Sequence, residues 1–266
     1  MSDPQTLPVD CELEIKDADR VRVLTLNRPD KRNALSTELL TRLHSELTTR
    51  LPAETRAVII AARGPVFCAG ADILEYSRSS DFEFQRFTLL ANEICSQIQQ
   101  LNTPVIAAVH GPALGGGFEL ALACDFIIAS EEASFSLPEL NLGLIPGWGG
   151  TRRLTHLIGA YRTRHLLLTG QRLSAQEAHA LGFVSRVYPK AELGDAAREI
   201  AVHISQLAPE AVAASLNAIR SVDASGVSTP SDNSVEQAEL FRLFNSPDGR
   251  EGLHAFLNKR APRFIQ

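Results

Sequence analysis

Long apolar runs are missing from this sequence, and that absence narrows the classes of protein it can represent. Of its 266 residues, 44% are hydrophobic and 21% are charged. No uninterrupted apolar stretch approaches the roughly 20 residues that a transmembrane helix needs. The composition is typical of a soluble globular protein, and the length suits one large domain that carries a helical appendage.

Cysteine is also scarce, with four scattered residues at Cys11, Cys68, Cys95 and Cys124. No C-x-x-C pair and no metal-type Cys/His spacing occurs, so we predict reduced thiols in the cytoplasm and no metal site. The opening segment MSDPQTLPVDCELE lacks the basic-then-apolar order of a secretion signal and the Arg-rich character of a transit peptide. We therefore expect a cytoplasmic protein.

An excess of basic residues is absent too, because the formal net charge is −5. This balance argues against broad nucleic-acid binding, which is expected to need a basic face. Two local segments, RPDKRNAL and NKRAPRF, do concentrate positive charge. Without further context, solvated surface is the simpler interpretation of both.

Two common catalytic signatures are missing as well. The glycine-rich segment HGPALGGGFELALACD, at 110–125, lacks the Lys-Ser/Thr ending of a Walker A loop and contains no G-x-G-x-x-G. No G-x-S-x-G occurs, and the histidines have no obvious paired serine. These absences argue against nucleotide binding through those motifs and against a serine hydrolase.

What is present predicts an α/β first half. The segments RVRVLTL, RAVIIAA, PVIAAV and DFIIAS indicate strands. The last two are apolar at both odd and even positions, as in parallel strands that are buried on both faces. Apolar residues at helical spacing follow Ser36, a plausible N-cap, and they recur over 81–101. The segment GGFELALAC is also predicted to be helical. Strand and helix alternate, as α/β proteins require.

Helices dominate after about residue 150. Ser174 and Glu177 have capping-box spacing, GFVSRVYP indicates one more strand, and Pro209 suits the first turn of a further helix. The last helix is predicted to run through REGLHAFLNK until Pro262 ends it. This C-terminal part is expected to pack on the core or on a neighbouring subunit.

Glu119 stands one residue past GGG, in a setting that is unusually apolar for an acid. Backbone N–H groups at such a helix start can hold developing negative charge, although close helix–sheet packing explains the glycines equally well. A first-turn acid also stabilises a helix without any catalytic role. A second acid, Glu139, lies in the apolar segment FSLPELNLGLIPGWGGTRRL. Two carboxyls among apolar residues would have raised, separable pKa values, as acid/base chemistry near neutral pH requires.

In combination, the segments FCAGADI, HGPALGGGFELALACD, FSLPELNLGLIPGWGGTRRL and FLNKRAPRF resemble the enoyl-CoA hydratase/isomerase (crotonase) family in order and spacing. The resemblance covers nearly the whole chain, from LNRPDKRNAL to the C-terminus. It implies a crotonase-like spiral of β-β-α units over 1–200 and a C-terminal helical trimerisation region over 201–266. It also implies a homotrimer, or a hexamer built as a dimer of trimers.

The resemblance assigns roles to four positions. The backbone N–H groups of Ala71 and Gly116 would form an oxyanion hole for a thioester oxygen. Glu119 and Glu139 fall on the two acidic positions of the hydratases, where the pair holds a water against the β-carbon of a 2-enoyl thioester. Family members that only shift a double bond manage with one acid, usually at the position of Glu139, so the presence of both favours a hydratase.

The resemblance also implies how the acyl-CoA substrate is bound. Ala69, Asp72, Ile73 and Leu74 would line the coenzyme A path, and Lys259, from a neighbouring subunit, would reach a CoA phosphate. No cofactor is expected, since coenzyme A is part of the substrate, and neither a nucleic-acid nor a membrane partner is expected. An ordinary exposed lysine is the alternative for Lys259.

The sequence thus predicts an enoyl-CoA hydratase of fatty acid metabolism, such as β-oxidation, that interconverts 2-enoyl-CoA and 3-hydroxyacyl-CoA. The alternatives are another crotonase-type reaction, such as isomerisation or decarboxylation, and RNA binding, which one branch of the family performs. The sequence departs from many hydratases at Ser136 and Leu137, where glycine and glutamine are common, and at Trp148. Trp148 could narrow the acyl pocket or simply pack in the core.

Overall fold

The computed structural model describes residues 12–225 and 230–264. Cys11 therefore lies outside the described residues, while Cys68, Cys95 and Cys124 are buried free thiols. Nine strands are described: β1 (Leu13–Ala18), β2 (Val21–Leu26), β3 (Ala57–Ala62), β4 (Val105–Val109), β5 (Pro112–Leu114), β6 (Phe126–Ser130), β7 (Ser134–Ser136), β8 (Leu173–Ser174) and β9 (Val184–Tyr188).

Six of these strands form one large sheet in the order β1-β2-β3-β4-β6-β9. β1 pairs antiparallel with β2, and all the other neighbours are parallel. Every residue of β4 is buried, as its apolar sequence predicted. The alternating α/β pattern follows, because parallel neighbours need a crossover between them.

Eleven helices are described alongside the strands: α1 (Thr37–Leu47), α2 (Ile73–Arg78), α3 (Asp81–Gln100), α4 (Gly116–Ala123), α5 (Gly150–Ile158), α6 (Ala160–Thr169), α7 (Ala175–Ala180), α8 (Leu193–Ser205), α9 (Pro209–Ser225), α10 (Pro230–Phe244) and α11 (Pro247–Leu257). The side chain of Ser36 accepts a hydrogen bond from the Leu39 N–H, which confirms the N-cap of α1. Ser174 and Glu177 form the predicted capping box of α7.

The two faces of the large sheet bury separate apolar clusters. One face packs against α8, through Leu193, Ala197 and Ala201. The other face forms the main core with α1, α3 and α4. Because α8 begins at Leu193 and ends at Ser205, the predicted boundary at residue 200 falls inside a helix that belongs to this packing. The division of the chain into two regions remains a prediction.

A second, smaller sheet of order β5-β7-β8 turns the fold into a spiral. Successive turns of the chain place one strand in the large sheet and the next in the small one, β4 before β5 and β6 before β7. An earlier turn reaches the small sheet through an isolated parallel bridge between Cys68 and Ala113. This is the predicted spiral of β-β-α units, and it brings the carboxyl ends of short parallel segments to one edge.

The C-terminal helices leave much of their apolar surface exposed. α10 contacts α9 and α11. Phe256 is 82% exposed. Other large apolar side chains of α10 and α11 are also exposed: Leu240, Phe241, Phe244, Leu253 and Leu257. The prediction that the last helix continues through Asn258 and Lys259 is wrong. The helix ends at Leu257, where the Asn258 N–H and side chain both bond to the His254 carbonyl and Lys259 takes a left-handed φ of 51°.

Candidate active site

Three successive turns of the spiral deliver the predicted site residues to one edge of the small sheet. Ala71 follows the bridged Cys68, Gly116 follows β5, and Glu139 follows β7. These segments run parallel to one another. Glu119 lies within the first turn of α4, three residues after Gly116. The register of the small sheet therefore brings together residues from three segments that are far apart in sequence.

The N–H of Ala71 faces away from the segment that pairs with it. Leu35 donates to the Gly70 carbonyl and accepts from the Asp72 N–H, at 2.8 and 2.9 Å, which leaves the Ala71 N–H on the opposite side. No acceptor for that N–H is found among the described residues. The group is free to donate to a ligand.

Gly116 offers the second free donor. It is the first residue of α4, whose opening N–H groups have no partner within the helix. A Cβ built on Gly70 would lie 3.1 Å from the Gly116 nitrogen, so the segment that carries Ala71 runs against the start of α4. Two donors at a helix N-terminus, where the dipole is positive, form a suitable oxyanion hole.

Each glycine of GGG has a neighbour that leaves no room for a side chain. Gly115 has a φ of +51°, and a Cβ on it would lie 2.9 Å from Glu139 Oε1. A Cβ on Gly116 would lie 2.5 Å from Cη2 of Trp148, and one on Gly117 would lie 2.7 Å from Cys68 Sγ. Close packing therefore accounts for all three glycines, while a charge-holding role for Gly116 stays a prediction.

Glu119 is buried, with 2% of its surface exposed. Its Oε1 accepts hydrogen bonds from the Trp148 N–H at 2.8 Å and the Gly150 N–H at 2.7 Å. Burial raises the pKa of Glu119, and these backbone donors oppose the rise by stabilising the carboxylate. Glu119 is thus a fixed carboxyl with one oxygen committed to the protein.

Glu139 is held quite differently. It opens a short 3-10 turn over Glu139–Leu142, and its Oε2 is buried without a hydrogen-bond partner among the described residues. Burial and, more weakly, the charge of Glu119 raise its pKa to about 7. A carboxyl with a raised pKa and an unpaired oxygen can hold a proton at neutral pH and deliver it to a ligand.

A buried arginine that the sequence reasoning missed supports Glu119 indirectly. Arg153 donates from Nη1 to the Trp148 carbonyl at 2.6 Å, and from Nε and Nη2 to Gln99 Oε1. It thereby fixes the loop whose N–H groups hold Glu119. The sequence offered only the pair Arg152 and Arg153 in GGTRRL, which does not reveal the buried member.

Tyr76 was also missed. The pKa of its phenol is raised to about 12, mainly by burial and to a smaller extent by the charges of Glu119 and Glu139. Its ring packs edge-on against Phe87, with centroids 4.9 Å apart. No motif marks it, because a tyrosine in a short helix is common, and only the spiral brings α2 beside the two glutamates.

The residues predicted to bind coenzyme A divide into two groups. Ala69 and the exposed Ile73 and Leu74 flank Ala71, beside the oxyanion donors. Asp72 caps α2 by accepting from the Leu74 N–H at 3.2 Å, and it pairs with Arg28 at 3.2 Å. Lys259 follows α11, and no hydrogen bond or ion pair within the described ranges joins it to either catalytic candidate.

Within residues 12–225 and 230–264, no group of His, Cys, Asp and Glu side chains is arranged to hold a metal ion, and no helix is long and apolar enough to cross a membrane.

The chain is similar to known proteins over most of its length. Residues 16–266 match the family model described as enoyl-CoA hydratase/isomerase. The short-chain-enoyl-CoA hydratase of Clostridium acetobutylicum is 38% identical over 245 residues, 91% of this chain and 92% of the relative. The enoyl-CoA isomerase/hydratase of Mycosarcoma maydis is 39% identical over 251 residues, 91% of each chain. The crystal structure of enoyl-CoA hydratase from Bacillus anthracis superposes with a TM-score of 0.91 at 39% identity, covering 96% of this chain and 99% of that one.

Proposed function

This chain belongs to the enoyl-CoA hydratase/isomerase family, and from that membership we propose that it reversibly adds water to 2-enoyl-CoA to give 3-hydroxyacyl-CoA. One observation carries the proposal: the buried Glu119 and the partly buried Glu139 lie near the two free N–H groups of Ala71 and Gly116. Hydration of an enoyl thioester needs a base for water, an acid for the α-carbon and donors for the thioester oxygen. The four residues supply these three functions.

The oxyanion donors act when water attacks. As the new C–O bond forms at the β-carbon, the electrons of the double bond move onto the thioester oxygen. The N–H groups of Ala71 and Gly116 stabilise that charge, and one such donor is worth about 2.7–4 kcal/mol in other enzymes. Because both donors are backbone groups, they are in place before the reaction begins.

The two glutamates divide the proton transfers. Glu119, whose backbone donors favour the carboxylate, takes a proton from the attacking water. Glu139, with a pKa of about 7, gives its proton to the α-carbon as the enolate collapses. The product state has the proton on Glu119 instead of Glu139, and transfer between the two carboxyls resets the site. Dehydration reverses each step, so no cofactor is required beyond the CoA moiety of the substrate.

The proton that Glu119 and Glu139 share leads to a prediction about how activity depends on pH. The active enzyme carries one proton on the glutamate pair in both reaction directions, and hydration consumes no net proton. We expect a bell-shaped dependence of kcat/KM on pH, with activity falling as pH rises through an apparent pKa of about 7, where Glu139 loses its proton. Steady-state rates measured with crotonyl-CoA and with 3-hydroxybutyryl-CoA should give the same bell-shaped pH profile. A profile that stays flat from pH 6 to about 9 would contradict the assignment of Glu139.

Isomerisation of a 3-enoyl-CoA is the second candidate, since one relative is named an isomerase/hydratase. The presence of two acids favours hydration, because moving a double bond needs only one proton-carrying group. Screening 2-enoyl-CoA and 3-enoyl-CoA thioesters by the absorbance of the conjugated thioester separates the two. A hydratase removes that absorbance from 2-enoyl substrates, whereas an isomerase creates it from 3-enoyl substrates. Decarboxylation would instead release carbon dioxide, and RNA binding, which the net charge disfavours, would appear in a gel shift.

We also propose that the protein is a homotrimer, or a hexamer of two trimers, in which Lys259 completes a neighbour's site. The exposed apolar faces of α10 and α11 support an assembly, because such surface is rarely left in water. The position of Lys259 supports sharing, since it follows the end of α11 and no hydrogen bond or ion pair among the described residues joins it to Glu119 or Glu139. A cytoplasmic location and a role in β-oxidation remain predictions.

Replacing Lys259 tests this arrangement. Lys259→Ala should raise KM for CoA thioesters roughly tenfold to hundredfold, as expected when a charge-assisted contact of about 1.5–3 kcal/mol is lost. A truncated pantetheine thioester lacks the CoA phosphates and should be unaffected. Lys16→Ala, at an exposed position on β1, is the matched control. Equal impairment on both thioesters, or a fully active monomer by light scattering, would refute the shared site.

A further inference from the structure

The ring of Trp148 lies directly against the oxyanion glycine. A Cβ built on Gly116 would lie 2.5 Å from Cη2 and 2.7 Å from Cε3 of the indole. The same residue's N–H holds Glu119. Trp148 therefore contacts the donor of the thioester oxygen with its ring and the proposed base with its backbone. Under the proposed mechanism, the reacting carbons of an acyl group bind near both points.

The indole is one end of an aromatic wall, which we define as Phe84, Tyr76, Phe87 and Trp148. Neighbouring ring centroids are 4.9 Å apart from Phe84 to Tyr76, 4.9 Å from Tyr76 to Phe87, and 5.8 Å from Phe87 to Trp148. Phe87 is 3% exposed and Trp148 is 4% exposed. Close packing of this kind resists displacement, because neighbouring side chains would have to move as well.

The backbone beneath the ring is fixed too. The Gly147 carbonyl accepts from Asn92 Nδ2 of α3 at 2.8 Å, and the Trp148 carbonyl accepts from Arg153 Nη1 of α5 at 2.6 Å. The loop is thus attached to two helices on either side of the indole. A substrate cannot gain room by pushing this loop aside without breaking those bonds.

The far side of the wall is poorly suited to methylene groups. The Thr88 hydroxyl and the Trp148 side chain both lie within interaction distance of the half-buried Tyr76 phenol. An extended apolar chain that entered here would disrupt these polar contacts without offering a hydrogen bond in return, which is unfavourable. The wall and the two hydroxyls therefore restrict the acyl group in both size and polarity.

From this arrangement we propose that Trp148 limits the acyl chain, so that the enzyme prefers short 2-enoyl-CoA substrates of about crotonyl size; this inference rests on the proposed hydratase function. The carbons beyond the β-carbon meet the indole and Phe87 instead of an open channel. Trp148 is then a specificity-determining residue that does not exchange protons with the substrate. It acts through the volume that its ring occupies.

Chain-length profiles of the wild type and of Trp148→Ala test the inference. For the wild type, kcat/KM should fall at least about tenfold from crotonyl-CoA to 2-octenoyl-CoA, and the variant should raise the octenoyl-to-crotonyl ratio by about tenfold or more. Trp148→Phe should give an intermediate ratio, and it provides a milder change if the alanine variant folds poorly. Phe82→Ala is the control. Phe82 lies on α3, the helix that also carries Phe84 and Phe87 of the aromatic wall, but its side chain is 65% exposed.

The outcomes separate the inference from the function on which it rests. A wild type that hydrates no enoyl-CoA refutes the hydratase proposal itself. A wild type that hydrates octenoyl-CoA as well as crotonyl-CoA refutes the length limit while the hydratase stands. An unchanged ratio in a folded Trp148→Ala or Trp148→Phe protein also refutes it, since the ring would then not bound the acyl chain.

Discussion

Glu119→Gln and Glu139→Gln are each expected to fold normally and to lose about 10²–10⁴-fold in kcat for hydration, the usual range for a lost general acid or base. Both substitutions preserve shape and remove the exchangeable proton. In Glu119→Gln, the amide oxygen can still accept from the Trp148 and Gly150 N–H groups, so the loop should keep its position. The loss would then reflect chemistry and not displacement.

Glu139→Gln should in addition become less sensitive to alkaline pH. Because the folded-state pKa of Glu139 is raised to about 7, folding favours its protonated form. The stability that this gives is present below the unfolded pKa and is lost as pH rises through the folded value. A neutral glutamine avoids that loss, so Tm at pH 8, about one unit above this pKa, should not fall below that of the wild type.

Glu38→Gln provides the control, because Glu38 is an exposed first-turn acid of α1 far from this chemistry. Steady-state rates and thermal melts of the three variants and the wild type make the comparison. Near-wild-type turnover in either active-site variant would remove that glutamate from the mechanism. If Glu119→Gln lost hydration but kept a double-bond shift, the isomerase alternative would gain support.

Gly116→Ala is expected to reduce kcat/KM by about 10²–10³-fold, comparable to the loss of one oxyanion donor. The variant retains its N–H, but its methyl group would lie 2.5 Å from Cη2 of the Trp148 ring and closer still to Cζ3. Either the indole or the start of α4 must shift, and overpacking of this kind costs about 1–3 kcal/mol of stability. The donor then no longer points at the thioester oxygen.

Two further variants isolate the cause. Gly194→Ala, in α8, has nothing within 4 Å of its new Cβ and should leave activity unchanged. In a Trp148→Ala background, Gly116→Ala should cost much less, because the missing ring leaves room for the methyl group. Unchanged kinetics in a folded Gly116→Ala protein would mean that the thioester oxygen binds elsewhere. An equal loss in both backgrounds would mean that the indole is not the obstacle.

The sequence predicted the local elements well where short-range chemistry determines them. The Ser36 cap, the Ser174 and Glu177 capping box and the apolar strand β4 all follow from residue type and spacing. The end of the last helix was predicted too late, because the side chain of Asn258 closes the helix before Pro262 does.

The candidate site is predicted by motif but assembled by topology. β5 and β7 have three residues each, too few for any periodic pattern to reveal, yet their parallel register gathers the site. The same limit explains why Tyr76 and Arg153 were missed, since each reaches the site from an element whose placement depends on the whole spiral. Trp148 was noticed as unusual, but its contact with Gly116 required the fold.

The most direct test of the hydratase proposal is the fate of solvent oxygen. Purified protein is mixed with crotonyl-CoA in water enriched in heavy oxygen, and the product is analysed by mass spectrometry. Hydration predicts 3-hydroxybutyryl-CoA carrying one heavy oxygen at the β-carbon, at a rate that Glu119→Gln and Glu139→Gln nearly abolish. Recovery of unconverted crotonyl-CoA, or of a product without solvent oxygen, would contradict the account.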